Sequence, residues 1–324
     1  MIPALTPRAL RTRWSVQALA RCAADAARSD AGRRAFPGAA LARGPVEAMG
    51  LRFPSPVLVA AGFDRRGRLL ADAAALGLGG VETGSHRPSG AGHAPMLRIA
   101  AARPHGWGGG ADGRSRPCHG LSLLVPNAGH GTPARRAAVL CAALAGWQAH
   151  ADYAVLNPGR SGATPAECVA LLAALAELRD RLPRARRLAL VAKLPAAWVG
   201  RAEAGAWARR LVEAGADGLL VSAEAAPQRA GEDLARLVDA VGAQACLISV
   251  GGIDSVREAA ARLAAGARLL QIHRALLGAP DAARALLAGV AALGSRGRRC
   301  ARPLPAPRLT PPPPAARAAP APRR

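Results

Sequence analysis

The chain has 324 residues, a hydrophobic fraction of 51% and a formal net charge of +23. That length and apolar content exceed the needs of a small stapled module and suit one α/β barrel of about 250 residues with terminal extensions. Aromatic residues make up only 3%, so base stacking is poorly supplied and no specific nucleic-acid partner is expected.

The positive charge sits at the ends. Residues 1–43 hold eight arginines against Asp25 and Asp30, and residues 296–324 hold eight arginines and no acid. Such arms suit an anionic membrane surface, and they serve equally to keep a chain soluble. The six cysteines (Cys22, Cys118, Cys141, Cys168, Cys246, Cys300) show no C-x-x-C pair and no histidine at ligand spacing, so neither a metal site nor a disulfide framework is expected. No run approaches the roughly 18 apolar residues of a membrane span and no secretory signal is present. The expectation is a cytoplasmic protein, peripheral on the inner face of the membrane. The Arg-rich, acid-poor start also has the composition of an organellar transit peptide.

In chain order, Leu10, Trp14, Ala18 and Leu19 among Arg8, Arg11, Arg13 and Arg21 predict an amphipathic helix from Pro7 to about Ala27. Such a helix lies in a membrane interface or packs on the barrel. From Pro56 onward the rhythm is apolar run, polar turn, alanine-rich helix, and a glycine that feeds the next strand. Three joints nearly repeat, at Gly77, Gly215 and Gly266, each placing glycine where a helix needs a left-handed C-terminal residue. Eight strands are predicted at 57–61, 80–83, 121–125, 153–157, 188–193, 218–222, 246–250 and 269–272, the number a (β/α)8 TIM barrel requires. Thr164-Pro165-Ala166-Glu167 reads as a capping box, and Asp254-Ser255 as a helix start. The interval between Gly84 and Gly120 shows no helix, and the tail after Leu293 is Pro/Ala/Arg-rich and predicted disordered. The organisation is therefore an N-terminal basic extension (1–45), a barrel (46–293) and a tail (294–324).

Lys193 is the only lysine and ends an apolar strand; an ammonium is a compact point charge that arginine does not replace. The loops after the last two strands carry Gly251-Gly252 and His273-Arg274, where barrels commonly hold a phosphate. Asn157, one of two asparagines, ends the fourth strand. An ammonium about 4 Å from the edge of a flavin that gains charge on reduction would favour the reduced form by roughly 4 kcal/mol at an effective dielectric of 20, so flavin mononucleotide (FMN) suits this arrangement. A Schiff base at Lys193 is the rival chemistry.

Several motifs follow one another in order: Met49-Gly50-Leu51-Arg52-Phe53, Ala60-Ala61-Gly62-Phe63-Asp64, Val81-Glu82-Thr83-Gly84-Ser85, Ala151 to Asn157, Val191-Ala192-Lys193, Asp217 to Ser222, Val250 to Ser255 and Gly266 to Ile272. Over roughly residues 46–280 they resemble the dihydroorotate dehydrogenase family, in particular its quinone-linked, membrane-associated class. The resemblance implies an FMN barrel that oxidises dihydroorotate and passes electrons to quinone, in pyrimidine biosynthesis. By it, Ala61, Gly62, Ser85, Ser122, Asn157, Lys193, Ser222, Gly251, Gly252, His273 and Arg274 meet the cofactor, with Ser85, Ser122, Ser222, His273 and Arg274 departing from the family's residue types. Arg65, in place of a lysine, and Asn157 meet the substrate.

The catalytic segment departs further. Where the family has its serine base, this chain has Arg160, and Ser161 comes one residue late; Gly162 replaces an orotate-binding asparagine, and Gly110 and Ala223 stand for others. A guanidinium stays protonated and is no general base. Two readings stay open: a dehydrogenase with an altered substrate site, and a paralogue that binds flavin or acts as a scaffold.

Overall fold

The structure, a computed structural model, describes residues 15–21, 45–88, 116–127, 129, 131–184 and 186–293. Two three-residue strands, β1 (Val46–Ala48) and β2 (Leu51–Phe53), form an antiparallel hairpin. Met49 and Gly50 turn it with φ of 56° and 70°, the left-handed pair that matches strand twist in a two-residue loop. The barrel strands are β3 (Val57–Val59), β4 (Gly80–His86), β5 (Cys118–Leu124), β6 (Tyr153–Asn157), β7 (Ala189–Leu194), β8 (Gly218–Ser222), β9 (Cys246–Val250) and β10 (Leu269–Ile272). All neighbours are parallel and β10 closes on β3, giving the eight-stranded barrel.

Side-chain alternation divides the core in two. One set of strand residues, including Val59, Leu121, Leu156 and Leu190, joins the helices in the outer core. The other, including Leu58, Val155, Val191, Leu220, Ile248 and Leu269, fills the barrel with Leu51 and Phe53 of the hairpin. Because Leu51 and Phe53 of the hairpin share this inner cluster with Cys118, Ala189 and Cys246, all first residues of strands, and the Cys118 thiol meets the Arg52 carbonyl, the hairpin plugs the amino-terminal end. The opposite, carboxyl end is left for chemistry.

Around the barrel lie α1 (15–21), α2 (Pro133–Trp147), α3 (Pro165–Arg181), α4 (Ala196–Val199), α5 (Ala204–Glu213), α6 (Ala230–Val241), α7 (Val256–Ala264) and α8 (Pro280–Leu293). Thr164 and Glu167 form the reciprocal capping box at α3, and Ser255 caps α7 through the Glu258 N–H. Val16 and Leu19 of α1 belong to the outer core, so the described part of the basic helix packs on the barrel. No helix among the described residues is long and apolar enough to cross a membrane.

Three expectations change. β4 extends to His86 and β5 begins at Cys118, so both ends of the Gly84–Gly120 interval are strand; its middle, with Gly110, and the tail after Leu293 lie outside the described residues. Of the other strands, β3 ends two residues early, β7 shifts by one residue at each end, and the rest match their predicted bounds. The crossover from β3 to β4 forms successive turns over 61–77 instead of an alanine-rich helix. Gly62 and Gly67 sit at φ 92° and 69°, and the Asp64 carboxylate accepts the Leu69 N–H at 2.7 Å, taking a donor that a helix would give to its own carbonyl.

Candidate functional site at the carboxyl end of the barrel

The alternation that packs Val191 inside the barrel and Ala192 and Leu194 outside turns Lys193 inward, half-buried, beside Leu220 in register. The same alternation brings Glu82, Ser122, Asn157, Ser222 and Gln271 to the inner face above an apolar floor. A polar tier thus forms at the end where the strands open.

Its members are tied together. Asn157 Nδ2 donates to Ser85 Oγ at 2.8 Å and to Ser122 Oγ at 3.4 Å, and the two hydroxyls lie 3.0 Å apart. The Asn157 side-chain carbonyl accepts the Gly159 N–H at 3.0 Å, which anchors the loop leaving β6. Below, Gln271 Nε2 donates to the wholly buried Glu82 carboxylate. Burial pushes the Glu82 pKa up to about 7, opposed by the Gln271 hydrogen bond, the Lys193 charge and a hydrogen bond from Ser122. Sequence reasoning assigned no role to Glu82 or Gln271. The available signal was an acid in an apolar strand.

The glycine loop after β9 is built for close approach. Gly251 and Gly252 adopt φ of 95° and 74°; a Cβ would lie 2.8 Å from the Glu224 nitrogen at the first and 2.4 Å from Pro227 Cβ at the second. Arg262, another residue that sequence reasoning missed, is buried and donates to Ser249 Oγ (3.2 Å), the Pro227 carbonyl (3.0 Å) and the Gly251 carbonyl (3.4 Å). One guanidinium therefore fixes the loops after β8 and β9. Ser222 is buried at the end of β8, Arg274 is exposed, and His273 lies edge-on to Phe63 with 6.1 Å between centroids. Half-buried Ala61 and Gly62 leave β3, and Gly62 N donates to the Gly84 carbonyl at 2.7 Å.

At the exit of β6 the two expected catalytic positions separate. Arg160 is exposed, while Ser161 is buried with its hydroxyl accepting the Ala163 N–H at 3.1 Å. Arg65 is also exposed. Its charge adds to burial in depressing the pKa of His86 to about 4, and the His86 ring stands edge-on to Trp147 with 5.5 Å between centroids.

No family model matches the chain. Among curated proteins, it is 33% identical over 298 residues to a dihydroorotate dehydrogenase (quinone) of Leifsonia xyli, covering 78% of this chain and 86% of that protein. The chain belongs to the quinone-type dihydroorotate dehydrogenase family. A second member, from Clavibacter michiganensis, is 30% identical over 278 residues, covering 72% of this chain and 80% of its own length. The crystal structure of a dihydroorotate dehydrogenase from Eimeria tenella in complex with ferulenol shares the fold, with a TM-score of 0.61, 16% identity and coverage of 78% and 83% of the two chains.

For a dihydroorotate dehydrogenase family barrel, the residues present fit FMN. An inward ammonium, an amide and two hydroxyls gather at the open end, above the buried Glu82–Gln271 pair and an apolar floor, and Gly62 leaves open space, since among the described residues a Cβ there would meet only His273 Cε1, at 3.9 Å. One element runs against the fit: Glu224, an exposed acid, has its Cγ 2.9 Å from the Cβ that Gly251 lacks.

Proposed function

We propose that this protein is an FMN-dependent oxidoreductase that oxidises dihydroorotate or a close analogue and passes the electrons to quinone. The carrying observation is Lys193, turned inward beside the Asn157–Ser85–Ser122 cluster. A bound FMN would supply the two-electron acceptor. Lys193 would favour its reduced form electrostatically, Asn157, Ser85, Ser122 and Ser222 would orient the ring, Ala61 and Gly62 would line it, and Gly251, Gly252, His273 and Arg274 would hold the phosphate. Arg65 and Asn157 would meet the substrate. The basic N-terminus supports docking on an anionic membrane surface, where a quinone is met.

A second reading, a flavin-binding paralogue without dehydrogenase turnover, draws on the loop after β6. Arg160 is exposed and charged, and the Ser161 hydroxyl is engaged by its own loop, so neither is poised as a base. One experiment separates the two: a visible absorbance spectrum of the purified protein before and after anaerobic dihydroorotate. Bleaching of a flavin band supports the dehydrogenase, and an unchanged flavin band at high substrate overturns it in favour of the paralogue.

A further inference from the structure

We infer that Glu82 is the proton partner of the cofactor site: it takes up one proton through Ser122 and Ser85 when a flavin facing Lys193 gains two electrons. The inference rests on the FMN reading above and adds a residue to that site.

Geometry carries it. Glu82 lies inside the barrel, fully buried, with Gln271 donating to one carboxylate oxygen. Ser122 lies on the same inner face of the neighbouring strand, two residues past Gly120, the register partner of Glu82; it helps to lower the Glu82 pKa and stands 3.0 Å from Ser85 Oγ. Ser85 is half-buried at the mouth, so two hydroxyls line the way from the acid to the open end. Hydroxyls both donate and accept, which a proton path requires.

Charge supplies the reason to move a proton. The titratable groups that act on Glu82 are Lys193 from β7 and Tyr153 from β6. Among the described residues the Tyr153 hydroxyl is buried without a partner, and its pKa is raised well above normal by burial first and by Glu82 among other charges, so it stays neutral. His119, on β5, points the other way and bonds Thr83 Oγ1 at 2.9 Å. The inward residues of β3, β8 and β9 nearest the floor, Leu58, Leu220 and Ile248, are apolar. Among the described residues, Glu82 is therefore balanced by one cation, Lys193. A bound flavin would supply the two-electron acceptor, and negative charge gained beside Lys193 would weaken the hold of that ammonium on Glu82. The Glu82 carboxylate, its pKa already near 7, then binds a proton drawn from water along Ser85 and Ser122. The reductant supplies the electrons, and no bond to carbon changes at Glu82.

The test is a potentiometric titration of the FMN-loaded protein between about pH 7 and pH 8.5. One extra proton per two electrons steepens the dependence by 29.6 mV per pH unit, a tenfold change in equilibrium constant for this couple. The wild type should show that steeper slope and Glu82→Gln should lose it; equal slopes in two flavin-loaded proteins overturn the inference. Should Glu82→Gln lose flavin, infrared difference spectra of the wild type decide. A deuterium-sensitive carboxylic acid C=O band that appears on reduction and moves in Glu82→Asp supports the inference, and its absence overturns it. A wild type that binds no FMN would instead overturn the reading on which this one rests.

Discussion

Asn157 Nδ2 donates to Ser85 Oγ at 2.8 Å, joining β6 to β4 over the intervening β5. The contact spans 72 residues of sequence, and the same amide bonds Ser122 and the Gly159 N–H. Asn157→Ala leaves these groups short of a partner in a buried place. The expected cost is about 1–3 kcal/mol, seen as a lower Tm, together with weaker FMN retention. Thermal unfolding with and without FMN checks both.

Glu82 makes the stability of the flavin-free protein depend on pH. Its pKa rises from 4.5 unfolded to about 7 folded, so its contribution is full below pH 4.5 and is lost as pH rises through 7. The loss is of the order of 3 kcal/mol. His86 has the opposite sign: depressed from 6.5 to about 4, it costs stability as pH falls through that window. Chemical denaturation of wild type and Glu82→Gln from pH 4.5 to 8 should show the variant gaining on the wild type toward high pH.

Much of the barrel was legible because each strand is an apolar run bounded by a glycine joint. Tyr153–Asn157, Gly218–Ser222, Cys246–Val250 and Leu269–Ile272 keep their predicted bounds for that reason. The hairpin over Val46–Phe53 was not, since three-residue strands carry no period and Met49 is a rare residue at φ 56°. In the site, Lys193 stood out by scarcity and Asn157 by its place at a strand end. Glu82 and Arg262 did not, because a buried charge is specified by partners far away in sequence: Gln271, 189 residues on from Glu82, and Pro227, 35 residues back from Arg262.

Glu224 places a negative charge beside the glycine loop proposed to hold phosphate. Glu224→Gln should tighten FMN binding by about two- to five-fold, the range of an exposed charge pair, with the gain shrinking as salt rises. Fluorescence titration of FMN at two ionic strengths checks the direction.

Arg160 occupies the position that the family resemblance gives to the base, and it is exposed. Arg160→Ser should speed flavin reduction by dihydroorotate, toward the 10²–10⁴-fold that general base catalysis contributes. Stopped-flow bleaching of the flavin measures it.

Lys193 decides the central claim. The purified protein, incubated with FMN and freed of excess, should be yellow, release FMN on denaturation and bleach with dihydroorotate, while Lys193→Met should bleach about 10²–10³-fold more slowly. A folded wild type that stays colourless after incubation with excess FMN would contradict it.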